Sequence, residues 1–241
     1  MAELFLALTI FFFTFQISDG SRPEFIIWNV GQGLWVTSVT SVECDHFDMG
    51  GEKIDFAEIV KLCGHKKNKF FFSHWDWDHI GFVKKYGAAF NDPCIGILPA
   101  GETKAKNLKM MNAFPMCSEI PKDLEILSPE KAGKTNELSH IFSYHSILVP
   151  GDSPKAQEKK WVSTLHSREK IKFLVLGHHG SRTSTSPALL NELPHVELAI
   201  SSARMKKYGH PHIEVVRRLK EAGISLLRTE IWGNIHIQQP F

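Results

Sequence analysis

The sequence predicts an α+β domain in which two β-sheets pack together with helices on their outer faces. Three observations carry this expectation. Short strand-like segments recur from Phe25 to Ile237, with no repeat or Pro/Ser-rich linker among residues 24–238, so one domain is expected. Helical spacing alternates with those strands instead of forming a separate block. Phe70-Phe71-Phe72 is apolar on both faces, as a strand is when other layers cover its sheet from both sides.

Phe25–Val30 reads as a strand ended by Gly31-Gln32-Gly33, and Leu34–Ser41 alternates as its hairpin partner. Cys44–Met49 is a third strand, stopped by Gly50-Gly51. Lys53–Cys63 places Ile54, Phe56, Ile59, Val60 and Cys63 at helical spacing. The triple-Phe strand then delivers Ser73 and His74. Residues 92–136 are sparse in pattern: one strand, Ile95–Leu98, and a Lys-rich helix around Glu102–Met111. Strands return at Leu138–Tyr144 and Ser146–Val149, running into Pro150-Gly151-Asp152. A polar helix, Lys155–Leu165, leads to the strand Ile171–Leu176. Ser186-Pro187 is a helix start, with Ser as N-cap and Pro at the first helical position. Val196–Ser201 is a strand, Pro211–Ala222 an amphipathic helix closed by Gly223, and Ile224–Arg228 and Asn234–Ile237 are the last two strands.

Bulk properties exclude little. The 43% apolar fraction supplies a core, and a net charge of +2 is too small to attract nucleic acid as a bulk field, so DNA contact needs local basic patches. Leu4–Phe15 is an apolar run too short to span a bilayer. Ser18-Asp19-Gly20 follows it with small residues where a signal peptidase reads. Residues 1–20 are therefore read as a signal peptide and 21–241 as the mature domain, although the leading residues hold Glu3 and no Lys or Arg. The competing reading is a buried first element of the domain. Cys44, Cys63, Cys94 and Cys117 form no Cys-x-x-Cys pair, which leaves two disulfides in an oxidising compartment or four buried thiols, with the pairing open.

Three polar clusters sit where apolar strands stop. His74-Trp75-Asp76-Trp77-Asp78-His79 packs two imidazoles and two carboxylates into six residues. In extended backbone His74, Asp76 and Asp78 share one side and the two Trp the other. Such groups converge comfortably only around a cation. Asp152 lies in Pro150-Gly151-Asp152-Ser153, which is also ordinary turn chemistry. Gly177-His178-His179-Gly180-Ser181-Arg182-Thr183 ends a buried strand. The imidazoles suit a metal, and Ser181, Arg182 and Thr183 suit phosphate oxygens. Tyr208-Gly209-His210-Pro211-His212 opens a helix after Arg204, Lys206 and Lys207, and its histidines serve either a site or a helix cap.

The order WNVGQG, FDMGG, SHWDWDHIG, Gly151-Asp152, LGHHGSRTS and YGHPH resembles the metallo-β-lactamase superfamily. Within it, the chain is similar to the hydrolase domain of ComEC-type competence (DNA-uptake) proteins, from about Phe25 to Ile237. The resemblance implies a four-layer αββα sandwich and a phosphodiesterase or DNA nuclease. It implies one or two divalent ions: Zn²⁺ or Mn²⁺, with Mg²⁺ admissible because Asp76 is a hard oxygen ligand. Carried over by position, His74 and Asp76 would serve one ion and Asp78 and His79 the other. Asp152 would bridge them and His178 would complete the set, making Asp78, Asp152 and His210 the catalytic residues. Ser181, Arg182, Thr183, Lys206, Lys207 and His212 would bind substrate. Asn136 to Ser139 matches an Asn-x-x-Ser of the branch. The chain departs from the pattern at Leu34, at Lys206 and at Asp76, where many members have His. A further mid-chain His has only His140 and His145 as candidates. No transmembrane channel segment and no stable protein partner are expected. The competing readings are a metal-dependent esterase or lactonase of the same fold, which needs an apolar mouth, and a DNA-binding relic without catalysis.

Overall fold

The computed structural model describes residues 23–129 and 133–238; the signal-peptide expectation over residues 1–20 lies outside them. Twelve strands appear among the described residues: β1 (Glu24–Ile27), β2 (Val36–Val39), β3 (Glu43–Phe47), β4 (Lys67–Phe71), β5 (Pro93–Ile97), β6 (Leu124–Leu127), β7 (Ile141–Tyr144), β8 (Ile147–Val149), β9 (Phe173–Val175), β10 (Leu198–Ser201), β11 (Ser225–Arg228) and β12 (Ile235–Gln238). They form two six-stranded sheets, ordered β12-β1-β2-β3-β4-β5 and β11-β10-β9-β8-β7-β6. The helices are α1 (Phe56–Cys63), α2 (Trp77–Ile80), α3 (Val83–Tyr86), α4 (Ala105–Met111), α5 (Lys155–Trp161), α6 (Pro187–Asn191), α7 (Met205–Tyr208), α8 (Ile213–Glu221) and α9 (Thr229–Trp232).

Period-two alternation sorts side chains into layers. Phe25, Ile27, Phe47 and Phe71 point inward and meet Phe142, Tyr144, Val149 and Ile200 of the second sheet. Ile26, Cys44 and Phe70 point outward beneath Ile59, Ile80 and Val83 from α1, α2 and α3. On the far side, Leu148, Leu174 and Ala199 pack under Trp161, Leu189 and Val215 of α5, α6 and α8. The result is the four-layer αββα sandwich, and the double-sided burial of the triple-Phe strand is its central fact.

Antiparallel pairing is confined to β12-β1-β2-β3 and β6-β7-β8. Elsewhere the pairs are parallel, because α1, α2 with α3, α5, α6 and α8 lie in crossover connections that return the chain to the same end of the sheet. Sequence reading missed β6, whose Leu-Glu-Ile-Leu is only a four-residue edge segment, although Pro121-Lys122-Asp123 and Ser128-Pro129 bound it. The expected strand Leu138–Tyr144 begins only at Ile141, its first part closing a 3₁₀ turn over Thr135–Leu138. The cysteines form two disulfides, Cys44–Cys63 and Cys94–Cys117, which settles the open pairing and removes the free-thiol alternative. No described helix is long and apolar enough to cross a membrane.

Candidate metal centre

The backbone is still extended at Asp76 (φ −72°, ψ 149°), at the N-terminus of α2, but turns helical from Trp77. Contrary to expectation, Asp78 therefore leaves the side that extended backbone would share with His74 and Asp76. The two Trp separate: Trp75 is buried in the outer core and Trp77 is 53% exposed. Asp78 and His79 are delivered from a helical turn, and its backbone is held from below. Leu34 N donates to Asp78 O at 2.9 Å, Met49 N to His79 O at 2.7 Å, and Phe82 N to Met49 O at 2.9 Å. This grip explains the glycines of two motifs. A Cβ on Gly50 would lie on the Asp78–His79 peptide, and one on Gly33 would come within 2.8 Å of Asp78 O.

Asp152 follows β8. Its backbone N donates to Ser139 Oγ at 3.1 Å, and Asn136 Nδ2 donates to Asp152 Oδ2 at 3.3 Å, so the Asn-x-x-Ser segment aims this carboxylate. His178 and His179 follow β9 with φ of 49° and 57°. Two successive non-glycine residues in the left-handed region cost about 1–3 kcal/mol each, strain that the surroundings must hold. His178 N donates to Gly151 O at 3.0 Å, and the buried Glu158 accepts from Thr185 N and from Ser186 N, the latter at 2.8 Å.

The side chains converge from both halves. Asp152 Oδ1 lies 3.1 Å from His79 Nε2 and 3.6 Å from His179 Nε2, and Asp78 Oδ2 is 3.2 Å from His179 Nε2. Asp152 Oδ2 lies 3.7 Å from His74 Nε2 and 3.6 Å from His178 Nε2, and Asp76 Oδ2 is 3.5 Å from His74 Nε2. Two ligand-type groups result, His74/His79/Asp152 and Asp78/His79/His179, each with its atoms within 4.8 Å of one another.

The donor set fits a divalent cation. His74 Nε2 and Asp152 Oδ1 are buried without a hydrogen-bond partner, although charged or polar atoms crowd them. His79 Nε2 and His179 Nε2 stand 3.3 Å apart. Buried polar atoms that close together and unpaired are costly unless a cation lies among them. Behind His79, Asp48 Oδ2 sits 2.7 Å from Nδ1; Ser73 Oγ donates to that same oxygen and Ser73 N to Asp48 Oδ1, each at 2.7 Å. A donating Nδ1 leaves the Nε2 lone pair facing the centre.

Electrostatics in the protein alone reflect the crowding. Burial pushes the Asp152 pKa up, but the charges of His79 and His179 outweigh it and hold the carboxyl well below its ordinary range. Burial alone would lower His79, yet Asp152 and Asp48 raise it well above the usual imidazole value. Burial lowers His178. At the rim, burial followed by the charges of His179 and His178 pushes His210 down to about 4.

The other sequence-predicted residues divide. His210 faces the centre, its ring 6.0 Å from that of His178, with Nδ1 buried and unpartnered. Thr183 Oγ1 lies 3.3 Å from His178 Nδ1 and 2.9 Å from Ser181 Oγ, and Arg182 is exposed. Lys206 is exposed as well. Two expectations need correction. Lys207 does not offer a free charge: its ammonium donates to Glu52 Oε1 at 2.6 Å, while Arg204 donates to Glu52 Oε2 at 3.0 Å and Tyr208 to Oε1 at 2.9 Å. His212 is the N-cap of α8, its Nδ1 accepting from Glu214 N at 3.2 Å. Neither mid-chain candidate joins the centre: His140 Nε2 hydrogen-bonds to Leu98 O, and the His145 ring lies beside Tyr144. Sequence reasoning left three residues out of the assigned set: His179, noted only as an imidazole suited to a metal, Asp48 and Glu52. The first two stand inside quoted motifs; Glu52, beside Gly51, carried no signal.

No family model matches the chain. Competence protein ComA from Neisseria gonorrhoeae is 29% identical to it over 235 residues, covering 88% of this chain and 33% of ComA. Recombination protein 2 from Haemophilus influenzae is 26% identical, covering 87% of this chain and 28% of its own length. The chain thus spans about a third or less of the length of these curated relatives. Among solved structures, the metallo-β-lactamase fold protein YhfI from Bacillus subtilis superposes with a TM-score of 0.55 at 9% identity, covering 90% of this chain and all of YhfI (100%). A diphosphatase of the PhnP family superposes with a TM-score of 0.55 at 13% identity, over 91% of this chain and 98% of that one. Layer order and these superpositions agree: the chain has the metallo-β-lactamase fold, and over most of its length it is similar in sequence to competence-type proteins.

Proposed function

We propose that this protein is a metal-dependent hydrolase of phosphodiester bonds, with DNA as its substrate. The observation that carries the reading is the double-sided convergence on Asp152, one carboxylate oxygen facing each half of the cluster. Asp76, His74, His178 and Asp152 would hold one ion, and Asp78, His79, His179 and Asp152 a second. A divalent ion there supplies Lewis acidity, making hydroxide available near neutral pH and offsetting charge on phosphate oxygens. Asp152, between the halves, would keep the attacking oxygen in line. The exposed Arg182 and Thr183, with the buried Ser181 hydroxyl bonded to Thr183, would take non-bridging oxygens. His210 is held neutral first by burial and then by the neighbouring imidazoles; an entering phosphate would favour its protonated form, so that His210 could pass a proton to the leaving oxygen.

The test incubates the full chain with bis(p-nitrophenyl) phosphate, single- and double-stranded DNA, a neutral ester and a lactone, adding Mn²⁺, Mg²⁺ and Zn²⁺ in turn. Metal-dependent cleavage of the diester and of DNA is expected. Cleavage of the ester or lactone with the diesters untouched would overturn the reading.

Asp48→Asn keeps a residue type that tolerates its φ of 58° but removes the charge behind His79. Metal affinity is expected to fall about 10–100-fold in a buffered-metal titration, and an unchanged affinity removes Asp48 from the centre. Export is also proposed. The two disulfides belong to an oxidising compartment, and the amino terminus has the features of a cleaved leader. Protein recovered from its own host should begin near Ser21; N-terminal sequencing that returns residues 2–15 refutes this.

A further inference from the structure

The basic cluster before His210 is largely spent on Glu52, and besides the exposed Arg182 and Lys206 further positive charge lines a groove that takes in Asp76. This groove, of about 1170 Å³, is lined by residues of α2, α3 and α4 and also by Asp76 and Thr135, the latter next to Asn136 that aims Asp152. Its apolar floor includes Trp75, Val83, Met110 and Phe114. Lys84, Lys104, Lys106 and Lys109 line it as well; all four are exposed and none pairs with a described carboxylate. Beside Asp76, Glu102 is the other carboxylate in the lining. Trp77 opens onto the same groove with more than half its surface bare.

We propose that this groove binds an unpaired DNA strand, with a base stacked on the Trp77 indole and backbone phosphates against the α3–α4 lysines. An exposed indole beside unpaired ammonium groups is the combination that grips single strands, because every base offers a π-face and every linkage a charge. A duplex keeps its base faces stacked inward and cannot use the indole. A neutral ester gains nothing from four free lysines. Asp76 is part of the groove's lining and lies 3.5 Å from His74 Nε2, so a strand lying in the groove passes beside the His/Asp cluster. This assignment rests on the phosphodiesterase reading for its substrate and adds the strand's form and path.

The test measures fluorescence anisotropy of a labelled, phosphorothioate-linked thymidine oligonucleotide against the full chain, the Trp77→Leu variant, and a Lys106→Gln/Lys109→Gln double variant on α4, away from the cluster. Each variant is expected to bind about tenfold more weakly. The double variant should also lower the slope of log affinity against log salt by about 0.7 for each phosphate that the protein no longer neutralises. Unlabelled duplex should compete poorly. If the lysine variant binds with unchanged affinity and slope, or if duplex competes as well as single strand, the proposal is overturned. Hydrolysis of bis(p-nitrophenyl) phosphate by the unmodified chain judges the phosphodiesterase reading separately. Active enzyme with unaffected variants sinks the groove alone; weakened variants with no hydrolysis under any metal sink the catalytic reading and leave the strand site standing.

Discussion

Asp152→Asn is expected to take hydrolysis to background and to lower bound metal at both halves of the centre. The amide keeps the size of the side chain and can still accept from Asn136, so folding should survive while the charge is lost. That charge is what both halves share: Oδ1 faces His79 and His179, and Oδ2 faces His74 and His178. Elemental analysis of the purified variant beside the unmodified chain reads the metal, and bis(p-nitrophenyl) phosphate turnover reads the chemistry. Asp78→Ala should lose the ion of one half first, because Asp78 reaches His179 and not the His74 side. A D152N protein with full metal content and activity would remove the shared carboxylate from the mechanism.

The second large effect concerns stability. Cys44–Cys63 closes a loop over 19 positions and ties β3 to α1, with both sulfurs inside the outer core beside Ile59 and Phe70. Closing a loop of that size constrains the unfolded chain by about 3 kcal/mol. Cys44→Ala/Cys63→Ala should therefore lower the melting temperature by roughly 6–12 °C, at about 2–4 °C per kcal/mol for a domain of this size. Cys94–Cys117 closes a similar span of 23 positions, but Cys94 stands on edge strand β5 and its partner outside any helix or strand. If the Cys44/Cys63 variant melts with the unmodified protein, the cross-link contributes nothing to this fold.

The layers were legible because burial writes itself into alternation. Phe70-Phe71-Phe72 could only lie inside two covering layers, and it does. His74 to His79 and His178 were legible because metal-type ligands are scarce at that density by chance. His179 was noted with His178 as an imidazole suited to a metal, but the resemblance carried only His178 into the ligand set, and adjacent residues in extended backbone point to opposite faces. The left-handed turn at both residues breaks that rule, and nothing local to the histidines announces it apart from flanking Gly177 and Gly180. Glu52 was out of reach for another reason. It meets Arg204 across 152 positions and Lys207 across 155, pairings that exist only once the two sheets have closed. The basic cluster looked free in sequence because the carboxylate that occupies it is so distant.

His79 comes from the connection after β4 in the first sheet, and His179 from the turn after β9 in the second, with 100 positions between them. Any ligand that grips both can bind only molecules whose two halves have already docked. By mass action it then adds its own binding free energy to the closed form, about 4 kcal/mol when it is present at a thousand times its dissociation constant. Filling the centre is therefore a late lock and not a guide to folding. A chelator would loosen the whole seam between the sheets, well beyond the loops that carry the ligands.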